Sequence, residues 1–133
     1  NNMLVTKEII EKVNKECPDN QGIFVEPYCI PTHIKEPVIY SRYEIGGYWG
    51  GSCWGDSDPR PYTSEPPANK MEVLEILLKY TKPDITFLEF RRLVSQHLKT
   101  NQDTETEYYG NSTEWEVEYI LISDFETFIN SIT

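Results

Sequence analysis

The sequence predicts a single α+β domain over residues 1–133: a small antiparallel sheet with about four helices, in the order α-β-β-loop-α-α-β-β-α. Apolar residues recur at helical spacing in some segments and at alternate positions in others, the two periodicities that separate a half-buried helix from a half-buried strand. A chain of 133 residues is long enough to surround one hydrophobic core and too short for two full domains. Its 3 Trp, 9 Tyr and 5 Phe supply bulky apolar surface that offsets the entropy of folding, which excludes global disorder.

Val5 to Cys17 reads as an amphipathic helix, with Val5, Ile9, Ile10, Val13 and Cys17 on one stripe, Thr6 as N-cap, and Pro18-Asp19-Asn20-Gln21-Gly22 ending it. Ile23 to Ile30 and Val38 to Ile45 are β-branched and aromatic runs joined through Pro31 and Pro37, hence two strands. Pro27 cannot donate to a ladder and assigns the first of them to an edge. Gly46 to Asn69, rich in glycine, proline and tryptophan, forms a long loop, and a loop of that length is a first candidate for a site. Asn69 to Tyr80 returns to helical periodicity through Met71, Leu74, Leu77 and Leu78. Thr86 and Glu89 make a T-x-x-E capping box for a third helix whose buried stripe runs Phe87, Phe90, Val94, His97 and Leu98. Ser123 and Glu126 make a second such box for a last helix burying Phe125, Phe128 and Ile129.

Between the last two helices, the alternating runs Asp103 to Tyr109 and Thr113 to Ile122 meet at Gly110-Asn111, which suits a two-residue type II′ turn. That turn pairs Tyr109 with Ser112, Glu107 with Glu114, Glu105 with Glu116 and Asp103 with Glu118. Six carboxylates then share one face, and Thr104, Thr106, Tyr108, Thr113, Trp115 and Val117 the other. With residues two apart separated by roughly 6.8 Å, the charged face carries about one charge per 2.3 Å. Duplex DNA carries about one per 1.7 Å of axis, so a basic groove could accept this face in place of a phosphate backbone. The same array could chelate a hard cation, but the D-x-D-x-D spacing of a dedicated calcium loop is missing.

Charge points the same way. The net charge is −10, and from Asn101 onward there are acids but no lysine or arginine. Such a chain is repelled by nucleic acid and anionic membranes and attracted to basic surfaces. No apolar run reaches the ~20 residues of a membrane span, and no secretory pattern precedes or follows Met3, which is read as the natural start. An odd number of cysteines, Cys17, Cys29 and Cys53, argues against a disulfide framework and for a reducing cytoplasm. Asn111-Ser112-Thr113 is a glycosylation triplet of a kind that arises often by chance.

Gly51-Ser52-Cys53-Trp54 superficially resembles the segment around the active thiol of papain-like cysteine proteases, which would imply a small hydrolase using Cys53. Gly51 stands where that signature has a further cysteine, and neither His33 nor His97 is placed by the sequence as a base. Tyr48, Trp49 and Trp54 either fold back onto the core, which the glycines permit, or stay exposed as anchors for a partner, with Asp56 and Asp58 as a polar rim. The expected function is that of a small non-enzymatic inhibitor or antagonist. It blocks a basic, nucleic-acid-binding partner such as a nuclease, a CRISPR effector or a toxin. The expected contact residues are Asp103, Glu105, Glu107, Glu114, Glu116, Glu118, Tyr48, Trp49, Trp54, Asp56 and Asp58, with no cofactor, metal, direct nucleic-acid contact or membrane involved. In size and charge the chain is similar to phage anti-defence proteins and to immunity proteins that neutralise toxins, a likeness of physical type with no shared motif.

Overall fold

Residues 4–49, 61–66, 70–107 and 110–132 are described in a computed structural model of the chain. Among them, four helices accompany a five-stranded antiparallel sheet, the α+β architecture predicted. The first helix, α1 (Lys7–Glu16), starts where Thr6 Oγ1 accepts the Ile9 amide at 3.2 Å, the cap its sequence announces. After it, β1 (Gln21–Phe24) lies at the sheet edge as expected, but it ends before Pro27, so the proline does not set that position. Cys29 has φ 68°, and residues 25–37 leave the sheet plane and fold across it. The Asn14 side chain takes the place of a strand at that edge, donating to Ile23 O (3.0 Å) and accepting from Ile23 N (2.8 Å).

β2 (Val38–Tyr48) is longer than expected, and β3 (Pro61–Tyr62) pairs with its end, so the glycine-rich segment is bounded by a pair of hydrogen-bonded strands. Next come α2 (Glu72–Thr81) and α3 (Phe87–Val94). Thr86 Oγ1 accepts the Glu89 amide at 3.3 Å, while the Glu89 carboxylate turns to Arg92 at 2.6 Å instead of closing the box. His97 lies beyond the end of α3, exposed, with its ring 5.5 Å from that of Phe128; it is not part of a buried stripe.

β4 (Lys99–Thr106), β5 (Ser112–Leu121) and α4 (Ile122–Ile132) complete the chain. The strand β5 runs straight into α4, and the expected Ser123–Glu126 box does not form. Glu36 accepts from both the amide (3.1 Å) and the hydroxyl (2.6 Å) of Ser123, whereas Glu126 accepts the amides of Leu4 (2.7 Å) and Val5 (3.1 Å). A long-range carboxylate has displaced the local cap.

Sheet order is β1-β2-β5-β4. Ile39 and Ile120 face the helices and join Val13, Leu77, Phe90, Phe125 and Ile129 in the main core. Val38, Val117 and Tyr119 point the other way, into a smaller cluster covered by Cys29, Ile30 and Ile34. No helix of the described residues is long and apolar enough to cross a membrane.

Candidate functional site

The β4–β5 register differs from the one its turn chemistry predicts. Thr106 pairs with Ser112, Glu105 with Thr113, Asp103 with Trp115 and Gln102 with Glu116. The connection spans residues 107–111, closed by Glu107 N–H donating to Asn111 O at 2.6 Å and by Gly110 at φ 80°. This is a shift of three positions from the predicted pairing. An odd shift exchanges the faces of one strand, so the six-carboxylate face does not exist: Asp103 and Glu105 project opposite to Glu114, Glu116 and Glu118. Burial has no hold on β4, whose side chains are all exposed or half-buried. The register is therefore set by what its polar groups meet.

What Glu105 meets is Arg42. Directly paired residues share a face, and β2–β5 pairing sets Arg42 opposite Val117 and Glu44 opposite Trp115, on the face away from the helices. The Arg42 guanidinium lies 3.9 Å from the centre of the Trp115 ring and 4.8 Å from that of Tyr28, between two aromatic faces. Its Nη2 donates to Glu105 Oε1 at 3.1 Å, and Trp115 Nε1 donates to Glu105 Oε2 at 3.0 Å. One carboxylate thus binds the cation and the indole that stacks on it. The Arg42 side chain is only 11% exposed, and a desolvated cation over an aromatic face contributes about 2 kcal/mol. Asn101 extends the arrangement by donating to Cys29 O at 2.8 Å, which ties the 25–37 segment down beside it.

Further along the same face, the Tyr62 hydroxyl donates to Glu44 Oε1 at 2.7 Å and lies 3.0 Å from Thr113 Oγ1. Its ring covers Gly47: a β-carbon there would come within 2.6 Å of the ring and 2.2 Å of Ser112 O, so no side chain fits. Trp49 packs edge-on against Tyr62 at 5.8 Å. Trp49 is 59% exposed and Tyr28 66%, so these aromatics stand at the surface as anchors could; Tyr48, paired with Ser112, lies on the opposite face. The face combines aromatic rings with the carboxylates of Glu44, Asp103 and Glu105.

On the helix-side face, Tyr43 donates to Glu116 in a short hydrogen bond and lies 2.8 Å from Glu118 Oε1. Lys70 Nζ sits 3.0 Å from that same oxygen, and Gln102 donates to Glu116 at 3.2 Å. Burial, and next the two carboxylates, push the Tyr43 phenol well up. Glu118 is matched by Lys70 and therefore offers little field to a partner.

Of the residues the sequence singles out, the structure brings Asp103, Glu105 and Trp49 toward the aromatic face, places Tyr48, Glu114, Glu116 and Glu118 on the other, and leaves Glu107 in the connecting loop. Trp54, Asp56 and Asp58, together with Cys53, lie outside the described residues. Sequence reasoning missed Arg42, Glu44, Tyr28 and Tyr62. The alternation of Tyr40, Arg42 and Glu44 with Ile39, Ser41 and Tyr43 was the available signal for a polar second face. Of the two described cysteines, Cys17 is pushed up to about 11 and Cys29 upward, each chiefly by burial, which suits neither to nucleophilic work. Among the described residues no group of three or more histidine, cysteine, aspartate and glutamate side chains could hold a metal. Comparison with family models, curated proteins and solved structures finds no match for this chain.

Proposed function

We propose that this protein is a small acidic antagonist that binds a basic protein surface through the face carrying Tyr28, Trp49, Tyr62 and Trp115 with the carboxylates of Glu44 and Asp103, Glu105 being matched by Arg42. The observation that carries the reading is the conjunction, on one side of the sheet, of aromatic rings, Tyr28 and Trp49 exposed and Tyr62 and Trp115 half-buried, with carboxylates. Aromatic anchors dominate interface energetics, and the carboxylates around them select a cationic counterpart. A net charge of −10 adds long-range steering toward such a partner. Nucleases, CRISPR effectors and toxins all present basic surfaces of this kind. The reading includes a reducing, cytoplasmic location, supported by the free thiols of Cys17 and Cys29. Since the carboxylates are divided between two faces, affinity in this reading comes from aromatic anchoring with charge selection, and imitation of a phosphate row is not required.

The test is capture from the native host with wild-type protein and with a Trp49→Ala/Asp103→Asn/Glu44→Gln variant. A basic protein retained by the wild type, lost by the variant and released as salt rises from about 50 to about 500 mM is the expected result. Displacement by duplex DNA would place the contact on a nucleic-acid groove of that partner. Retention of a neutral or acidic protein, or binding indifferent to salt, overturns the proposal.

A further inference from the structure

The outer edge of β2 is covered by β1 at residues 38–41 and by β3 at 47–48, and between them no strand of the described residues pairs with it. A cleft of about 480 Å³ opens at this gap, within the range of pockets that hold a small group. Asp19, Glu44 and Glu72 line it from three separate elements, and Tyr43 and Trp115 contribute aromatic surface. No salt bridge joins any of these three carboxylates to a base among the described residues. Ser41 also lines the cleft, is 1% exposed, and its Oγ has no hydrogen-bond partner. A hydroxyl buried to that degree without a partner is uncommon, because desolvation is then uncompensated.

We infer that this cleft is the receptor for a single lysine or arginine side chain of the partner, an inference that rests on the reading given under the previous heading. Three carboxylates attract a cation and exclude an anion. The aromatic rings accept its flat or methylene surface, and both already hold cations within the chain: Arg42 over Trp115 at 3.9 Å and Lys70 near Tyr43 at 4.7 Å. Ser41 Oγ supplies an acceptor at the buried wall, which an N–H of the guest satisfies. Arg42 also lines the cleft; its charge is matched by Glu105, while its buried Nε, like Ser41 Oγ, has no hydrogen-bond partner.

The experiment uses the intact chain and blocked amino acids as probes, followed by amide NMR shifts. Nα-acetyl-arginine-N-methylamide should give saturable shifts at Asn20, Ser41, Glu44 and Glu72, and the neutral isostere Nα-acetyl-citrulline-N-methylamide should bind about tenfold more weakly or worse, since it lacks the charge-assisted bonds. Ser41→Ala and Glu72→Gln should each weaken the arginine probe several-fold while leaving the melting temperature within a degree or two, because neither removes a hydrogen bond or ion pair found among the described residues. Equal response to the citrulline probe, shifts confined to β4 and β5, or unchanged affinity in both variants overturns the inference. If the probes fail while salt-sensitive capture of a basic partner persists, the cleft assignment falls and the antagonist reading stands; loss of both removes both.

Discussion

Trp115 and Arg42 stack at 3.9 Å although they are 73 positions apart in the chain, and Glu105 is hydrogen-bonded to both. Glu105→Gln keeps the shape but leaves a largely buried guanidinium without its counter-ion. Stability should fall by about 1–3 kcal/mol, whereas Asp103→Asn on the same strand should change it by no more than about 0.5 kcal/mol. Urea denaturation followed by tryptophan fluorescence measures both, and equal effects would refute the role assigned to Glu105.

Gly47 tolerates no side chain. Gly47→Ala places a methyl group against Ser112 O and the Tyr62 ring, and overpacking of this kind costs about 1–3 kcal/mol. Hydrogen exchange should accelerate at Tyr62 and Thr113 and stay unchanged at Ile39 and Ile120; uniform acceleration would contradict a local origin.

Glu126 anchors the first described residues to the last helix. Glu126→Ala removes the acceptor of both the Leu4 and Val5 amides, and about 1–3 kcal/mol is expected from losing bonds to a charged acceptor. Val5 is 3% exposed, so its detachment should also appear as new protease sensitivity near the N-terminus. Resistance equal to that of the wild type would show that packing of Val5 suffices.

Burial, followed by the neighbouring Glu16 and Glu72 charges, raises the Cys17 thiol from its ordinary value near 9 to about 11. Because the folded state holds this proton more tightly, the associated stability is complete below pH 9 and is lost as pH rises to about 11. Denaturation midpoints should therefore decline over that window in the wild type and less steeply in Cys17→Ala. A flat profile would show that the thiol is not perturbed.

Local signals in the sequence were read correctly where the deciding contacts are local. Thr6 and Thr86 cap their helices because the accepted amide is three residues away. The edge position of β1 was expected from Pro27, but that proline lies outside the strand, so the agreement does not rest on it. The α4 start was misread because its partner, Glu36, is 87 residues distant, and a two-residue strand such as Pro61–Tyr62 leaves no periodicity to detect. The β4 register failed for a related reason: threonine and carboxylate side chains are equally content in water, so alternation alone cannot choose a face, and Arg42 chose it from another strand. Aromatic residues were legible as candidates, but the base that organises them was not.

The pairing of β2 with β5 also has a kinetic consequence. Tyr43 and Glu116 are 73 residues apart, and Arg42 and Glu105 are 63 apart, so the two central strands meet only after a long segment has been closed into a loop. Loop closure of that length must precede the contacts that reward it. The chain should fold over milliseconds to seconds, as domains dominated by distant pairings do, with the β4–β5 hairpin forming first and waiting to dock.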